Sequence, residues 1–105
     1  MPSQIYAHEE VKKRIIANPA ILGLENIVDY KEEVPFSNGR RKLGQIDIIF
    51  WDSIGTIYIV EITTGKCIKT RKRVKRQAEF AKNFFKYARA LSVICEDDKL
   101  EITWH

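Results

Sequence analysis

The chain has little cysteine, no long apolar run and no surplus of acid. Cys67 and Cys95 stand far apart, with no Cys-x-x-Cys pair and no histidine nearby. That disfavours zinc and fits free thiols in a reducing compartment. The most apolar stretches, Ile46-Asp47-Ile48-Ile49-Phe50-Trp51 and Ile57-Tyr58-Ile59-Val60, are far shorter than a bilayer span. No membrane partner is expected. The start, Met1-Pro2-Ser3-Gln4-Ile5, has no basic segment and no signal-type apolar core. An intracellular, cytoplasmic location is the expectation. There is no internal repeat and no low-complexity segment. There is also no glycine-rich phosphate loop, no zinc ligand set and no Ser, His and Asp in catalytic order.

What is present is a single domain's worth of chain, residues 1–105, of 12.3 kDa. Apolar residues make up 45% and charged residues 30%, which argues against disorder. The net charge of +4 is unevenly spread. Residues 66–76 contain Lys66, Lys69, Arg71, Lys72, Arg73, Lys75 and Arg76 and no acid, so the remainder is net negative. Arg40-Arg41-Lys42 is a second cluster. Such a run is either a solvated helix face or a phosphate-binding surface. Seven cations without interleaved acids repel one another, and nucleic-acid phosphate is the commonest partner that relieves this.

Ser3 can cap a helix running to about Ala17, with Ile5, Ala7, Val11, Ile15 and Ile16 on one arc. His8 falls within that arc, Glu9 at its edge, and Glu10 faces away. Asn18-Pro19 opens a short helical turn that Gly23 ends. Residues 25–36 read as extended, and Ser37-Asn38-Gly39 as a turn. Residues 45–52 and 56–63 are strands joined by Ser53-Ile54-Gly55, a loop in which Gly55 suits positive φ. That hairpin pairs Asp52 with Thr56 and so sets Asp47 opposite Glu61. Both strands are apolar on both faces and are expected at the centre of the sheet. A second helix is predicted over 71–90, with Gln77 inside its apolar arc, followed by strands over 91–95 and 100–104. The order α-β-β-β-α-β-β describes an α/β layer fold with a mixed sheet.

Asp47 and Glu61 carry the chemistry. Two carboxylates opposite one another repel by about 0.2–1 kcal/mol even when exposed, and burial raises the cost. Either a hard divalent cation or a structural Arg or Lys must sit with them. Gly44 before Asp47 either allows close approach of a ligand or merely forms a turn. Gln77 is either a site residue or a structural bond between elements. His8 is either a core histidine or a site residue.

The pattern Gly44-x-x-Asp47, then Glu61-x-Thr63, then a helix carrying Gln77, resembles the PD-(D/E)xK nuclease superfamily. Ile15-Ile16-Ala17-Asn18-Pro19 at the end of the first helix, and Glu33-Val34-Pro35 before the Gly-x-x-Asp strand, make it most similar to archaeal-type mismatch endonuclease catalytic domains. Holliday-junction resolvases share the core. The resemblance implies a restriction-endonuclease-like core, a mixed sheet flanked by helices, and cleavage of DNA phosphodiesters with Mg²⁺ or Mn²⁺. By resemblance Asp47, Glu61 and the carbonyl of Ile62 hold the metal, and Gln77 supports the site. Thr63 stands where the motif has its lysine. A displaced cation is then expected, with Arg73 the first candidate and Lys66, Lys69 and Lys75 others. His8 stands where the family often has glutamate, and the helical wheel offers Glu9 as the substitute.

On this reading Lys66, Lys69, Arg71, Lys72, Arg73, Lys75, Arg76, Arg40 and Arg41 contact nucleic acid, positioning it by phosphate without reading sequence. DNA is the expected partner. A homodimer would place two sites on two strands, with Phe36, Trp51 and Trp104 as candidate contact aromatics. The alternative is a nuclease-fold module that has lost catalysis and binds nucleic acid or acts as a subunit.

Overall fold

A computed structural model describes residues 4–65, 68–85 and 87–105, with side chains for all of these except 4–6, 38, 42 and 43. Lys66, which belongs to the basic run, and Cys67 lie outside the described residues. Among the described residues the elements run α1 (Gln4–Ala17), a 3-10 turn (Pro19–Leu22), β1 (Ile27–Asn38), β2 (Arg41–Asp52), β3 (Ile57–Thr64), α2 (Ile68–Phe84), β4 (Arg89–Glu96) and β5 (Lys99–Trp104). The chain is an α/β fold with one five-stranded mixed sheet, ordered β1-β2-β3-β4-β5. β3 and β4, joined through α2, are parallel and the other neighbours antiparallel, and β2 and β3 take the interior positions expected of them. No described helix is long and apolar enough to cross a membrane.

Local chemistry sets the turns. Pro19 occupies the first turn of the 3-10 segment, where its missing N–H costs nothing, and Gly23 closes it at φ 82°. Gly55 takes φ 88° in the β2–β3 hairpin. Asp52 fixes that hairpin: its Oδ1 accepts from the Thr56 N–H at 2.8 Å and the Ile54 N–H at 3.1 Å. The resulting ladder aligns Trp51 with Ile57 and Ile48 with Val60, the register that the loop length requires.

The two faces of the sheet are covered by different helices. α1 lays Val11 and Ile15 on Ile48, Phe50, Val60, Ile62, Leu91 and Val93. α2 lays Ala78 and Ala81 on Ile46, Ile49, Ile59 and Ala90, beside Phe36. Burying each Ile, Leu or Val fully stabilises by about 1.5–3 kcal/mol relative to exposure, so these two apolar layers hold the site rigidly between them.

Three elements depart from expectation. α2 ends at Phe84, not near residue 90, because Tyr87 turns into the left-handed region at φ 70° and Arg89 already pairs with Tyr58. Ala88, within the range predicted for the helix, therefore belongs to the following loop, and β4 begins at Arg89. The β1–β2 hairpin is longer than the turn at 37–39 suggests, and Arg41 pairs with Asn38. Gly44 is consequently a strand residue. It lies opposite Phe36, whose ring would stand 3.1 Å from a Cβ at position 44. Its role is to admit an aromatic ring.

Candidate active site

β2 and β3 run as a ladder up to the pair Ile48 and Val60, and one residue further the same register sets Asp47 opposite Glu61. On the other side, β1 pairs Glu32 with Ile48 and Val34 with Ile46, which places Glu33 across from Asp47. Glu61 is in turn the ladder partner of Ser92. A row of polar residues thus crosses the middle of an otherwise apolar sheet.

Asp47 sits where the β2–β3 ladder stops. Its Oδ2 accepts the Ile62 N–H at 2.7 Å, bridging the two strands with a side chain. The same oxygen stands 3.5 Å from His8 Nε2, which reaches in from α1. The bond to Asp47 raises the His8 pKa, against the opposing effect of partial burial. Glu61 is 3% exposed. Burial, together with the Asp47 charge and a carboxyl–carboxyl bond to Asp47, pushes its pKa up to about 9. At neutral pH Glu61 therefore keeps its proton beside Asp47, and a cation held between the two carboxylates would take that proton's place. Among the described residues no Arg or Lys is ion-paired with either carboxylate, so the structural salt-bridge reading of the pair finds no support there.

Above Glu61 opens a groove of about 710 Å³ between α2 and the β1–β2 hairpin. Its walls include Phe36, Gln45, Arg73, Arg76, Gln77 and Phe80. Gln77 does not occupy the buried side of α2 as expected. The buried stripe is narrow, made of Val74, Ala78 and Ala81, and Gln77 falls on its flank. It is exposed, on the groove wall with Arg73 and Glu61. Arg73, the first candidate for a displaced cation, is thus on the right wall, without a bond to either acid. Thr63 is buried at 9% exposure and brings no charge.

Glu9 is not the residue of α1 that meets the acidic pair. His8 is, and Glu9 instead bonds Lys12 at 2.9 Å. Lys12 went unrecognised in the sequence. Its side chain is 2% exposed and its Nζ also lies 3.1 Å from Glu33 and 3.6 Å from Glu32. Burial works against its charge, but the bonds to Glu9 and Glu33 outweigh this and its pKa lies above the ordinary lysine value. The signal was present: Lys12 is four residues from His8 and three from Glu9, hence on their side of the helix.

The basic run does not form one face. Arg71 turns to β4 and β5, where it bonds Glu96 at 3.2 Å and pairs with Glu101. Two carboxylates therefore neutralise one of the expected phosphate contacts. Lys75 is partly buried, while Lys69, Lys72, Arg73 and Arg76 are exposed. Arg40 and Arg41 are exposed at the β1–β2 hairpin. Among the aromatics expected at a contact surface, Phe36 is buried, Trp51 half-buried and Trp104 exposed. Sequence reading also missed a Ser–His–Glu chain, in which Ser92 Oγ lies 2.9 Å from His105 Nε2 and Glu79 Oε1 3.6 Å from His105 Nδ1. Ser92 has no exposed surface, so this chain ties β4 to α2 and presents no nucleophile.

No protein-family model matches this chain, and neither does any curated protein. Its chemistry is therefore read from its own residues.

The donor set suits a hard divalent ion. Asp47 and Glu61 would offer it oxygen ligands, and the backbone carbonyl of Ile62 adjoins them in sequence. Among the described residues no three His, Cys, Asp or Glu side chains converge as a ligand group, so remaining positions would fall to backbone, water and substrate oxygens.

Proposed function

We propose that this chain is a metal-dependent endonuclease of the PD-(D/E)xK type, with a restriction-endonuclease-like core, that hydrolyses DNA phosphodiester bonds. One observation carries the reading: Asp47 and the buried Glu61 meet as a carboxylate pair, and Glu61 lines a groove that it shares with Arg73, Arg76 and Gln77. Asp47, Glu61 and the Ile62 carbonyl would hold Mg²⁺ or Mn²⁺, which polarises the scissile phosphate and acidifies the attacking water. The Ile62 N–H holds the Asp47 carboxylate in place. Arg73 and Arg76 hold phosphate oxygens at the groove wall, and Gln77 orients the water. Lys69 and Lys72, with Arg40 and Arg41 at the hairpin, track the backbone on either side. Two copies acting together would address both strands of a duplex.

A gel assay over linear and branched DNA, with chelator and with Mn²⁺, tests this. Cleavage that needs Mn²⁺ and is abolished by Asp47→Asn supports it. DNA binding without Mn²⁺-dependent cleavage favours the second reading, a nuclease-fold module that binds nucleic acid or serves as a subunit. The uncharged Thr63 in the lysine position is the observation on that side.

A further inference from the structure

Glu33 is a non-glycine residue at φ 51°, inside a strand. For such a residue the left-handed region costs about 1–2 kcal/mol. The kink lies directly across from Asp47, between the ladder pairs Glu32–Ile48 and Val34–Ile46. β2 thus passes Asp47 where the β2–β3 ladder has also ended. That double lapse frees the Asp47 carboxylate to leave the regular alternation and accept the Ile62 N–H on the neighbouring strand.

Something must hold the kink. Glu33 is bonded at 3.1 Å by Lys12 Nζ, and Lys12 is also anchored on its own helix by Glu9 at 2.9 Å. A lysine buried to 2% exposure is costly unless its partners are well placed, so its geometry is firmly set. We infer that Lys12 is the positioning residue of the acidic pair: it fixes the Glu33 kink, and the kink turns Asp47 toward Ile62 and Glu61. This rests on the nuclease reading only where metal is concerned. The geometric part stands on the strands alone.

Two substitutions at position 33 separate positioning from a plain tie between α1 and β1. Glu33→Ala and Glu33→Gly both lose the carboxylate that Lys12 binds, but only glycine takes positive φ without strain. Amide hydrogen exchange at Ile62, in chelator, reads the bond to Asp47 directly. Mn²⁺ affinity, by calorimetry, reads the pair. Glu33→Ala is expected to speed Ile62 exchange and weaken Mn²⁺ binding by about tenfold, the strain at a left-handed site. Val60 and Leu91 should stay protected. Glu33→Gly should keep both values near wild type. Lys12→Met should behave as Glu33→Ala, and Lys12→Met/Glu33→Gly should recover.

Equal effects of alanine and glycine, or wild-type Ile62 exchange in Glu33→Ala and in a folded Lys12→Met, would overturn the inference. Should Lys12→Met not fold, the alanine and glycine pair decides alone, since Glu33 is exposed. A wild type that ignores Mn²⁺ while the exchange pattern appears would overturn the metal site and leave the positioning intact.

Discussion

Glu61→Gln gives the sharpest test of the acidic pair. The variant keeps shape and hydrogen bonding but removes titration. In the metal-free fold, burial and Asp47 raise the Glu61 pKa to about 9 from an ordinary 4.5. A carboxyl raised in this way contributes fully to stability below pH 4.5, and that contribution drains away as pH rises toward 9. At pH 7, 2.5 units above the unfolded value, wild type has lost about 3 kcal/mol relative to the glutamine variant, at 1.36 kcal/mol per unit. For a domain of this size that is about 12–24 °C in melting temperature. In chelator the variant should therefore melt well above wild type at pH 7 and beside it at pH 4. Saturating Mn²⁺ should reverse part of the gap, because linkage gives wild type about 2.7 kcal/mol at one hundred times Kd and the variant little. Melting curves by circular dichroism across pH 4–9 would show this. A wild-type melting point flat across that range, with Glu61→Gln lower throughout, would mean that Glu61 is ionised against a cation and that the proton assigned to it is wrong.

Mn²⁺ must displace the Glu61 proton, so its affinity should rise with pH up to about 9, by at most about tenfold per unit; calorimetry in buffers of different ionisation enthalpy should show proton release. Replacing Lys72, Arg73 and Arg76 with glutamine should lower the slope of log affinity against log salt by about 0.9 for each phosphate no longer neutralised. Arg71→Gln should leave that slope unchanged and lower stability by at most about 1 kcal/mol, because its charge is spent on Glu96 and Glu101. Gly44→Ala should lower the urea midpoint by the equivalent of about 1 kcal/mol, since the Phe36 ring at 3.1 Å must give by a few tenths of an ångström against Phe80, Phe84 and Phe85, and Phe36→Leu in the same chain should restore part of it.

The sequence revealed what local chemistry dictates. Gly55 and the loop length set the β2–β3 register, and Pro19 and Gly23 bounded the short turn. The end of α2 was illegible because Ala88 and Leu91 continue the helical period, while the break falls at Tyr87, a residue with no breaker character. The hairpin was read short because Ser37 and Asn38 are turn-type residues, although backbone pairing extends across both of them. In the site, opposition of Asp47 and Glu61 followed from counting residues. His8 already lay within the buried arc of the wheel, with Glu9 about 100° away at its edge; Glu9 was expected at the site because the resemblance calls for a glutamate, and the structure follows the wheel instead. Lys12 was not singled out, because its burial depends on Glu32 and Glu33, carboxylates from a strand some twenty residues away.

Strand order in the sheet repeats strand order in the chain. The antiparallel neighbours each close over a short loop, and only β3 and β4 must meet across a long excursion, through α2. Closure entropy grows slowly with loop length, about 0.6 kcal/mol per doubling, yet it must be met before the contacts it permits can form. The same closure lays α2 over Glu61 and raises the groove wall. Assembly of the sheet and burial of the acidic carboxyl are therefore expected to coincide in folding. Substitutions at Val74, Ala78 or Ala81 that weaken the α2 seat should slow the appearance of the site more than the formation of the β2–β3 hairpin.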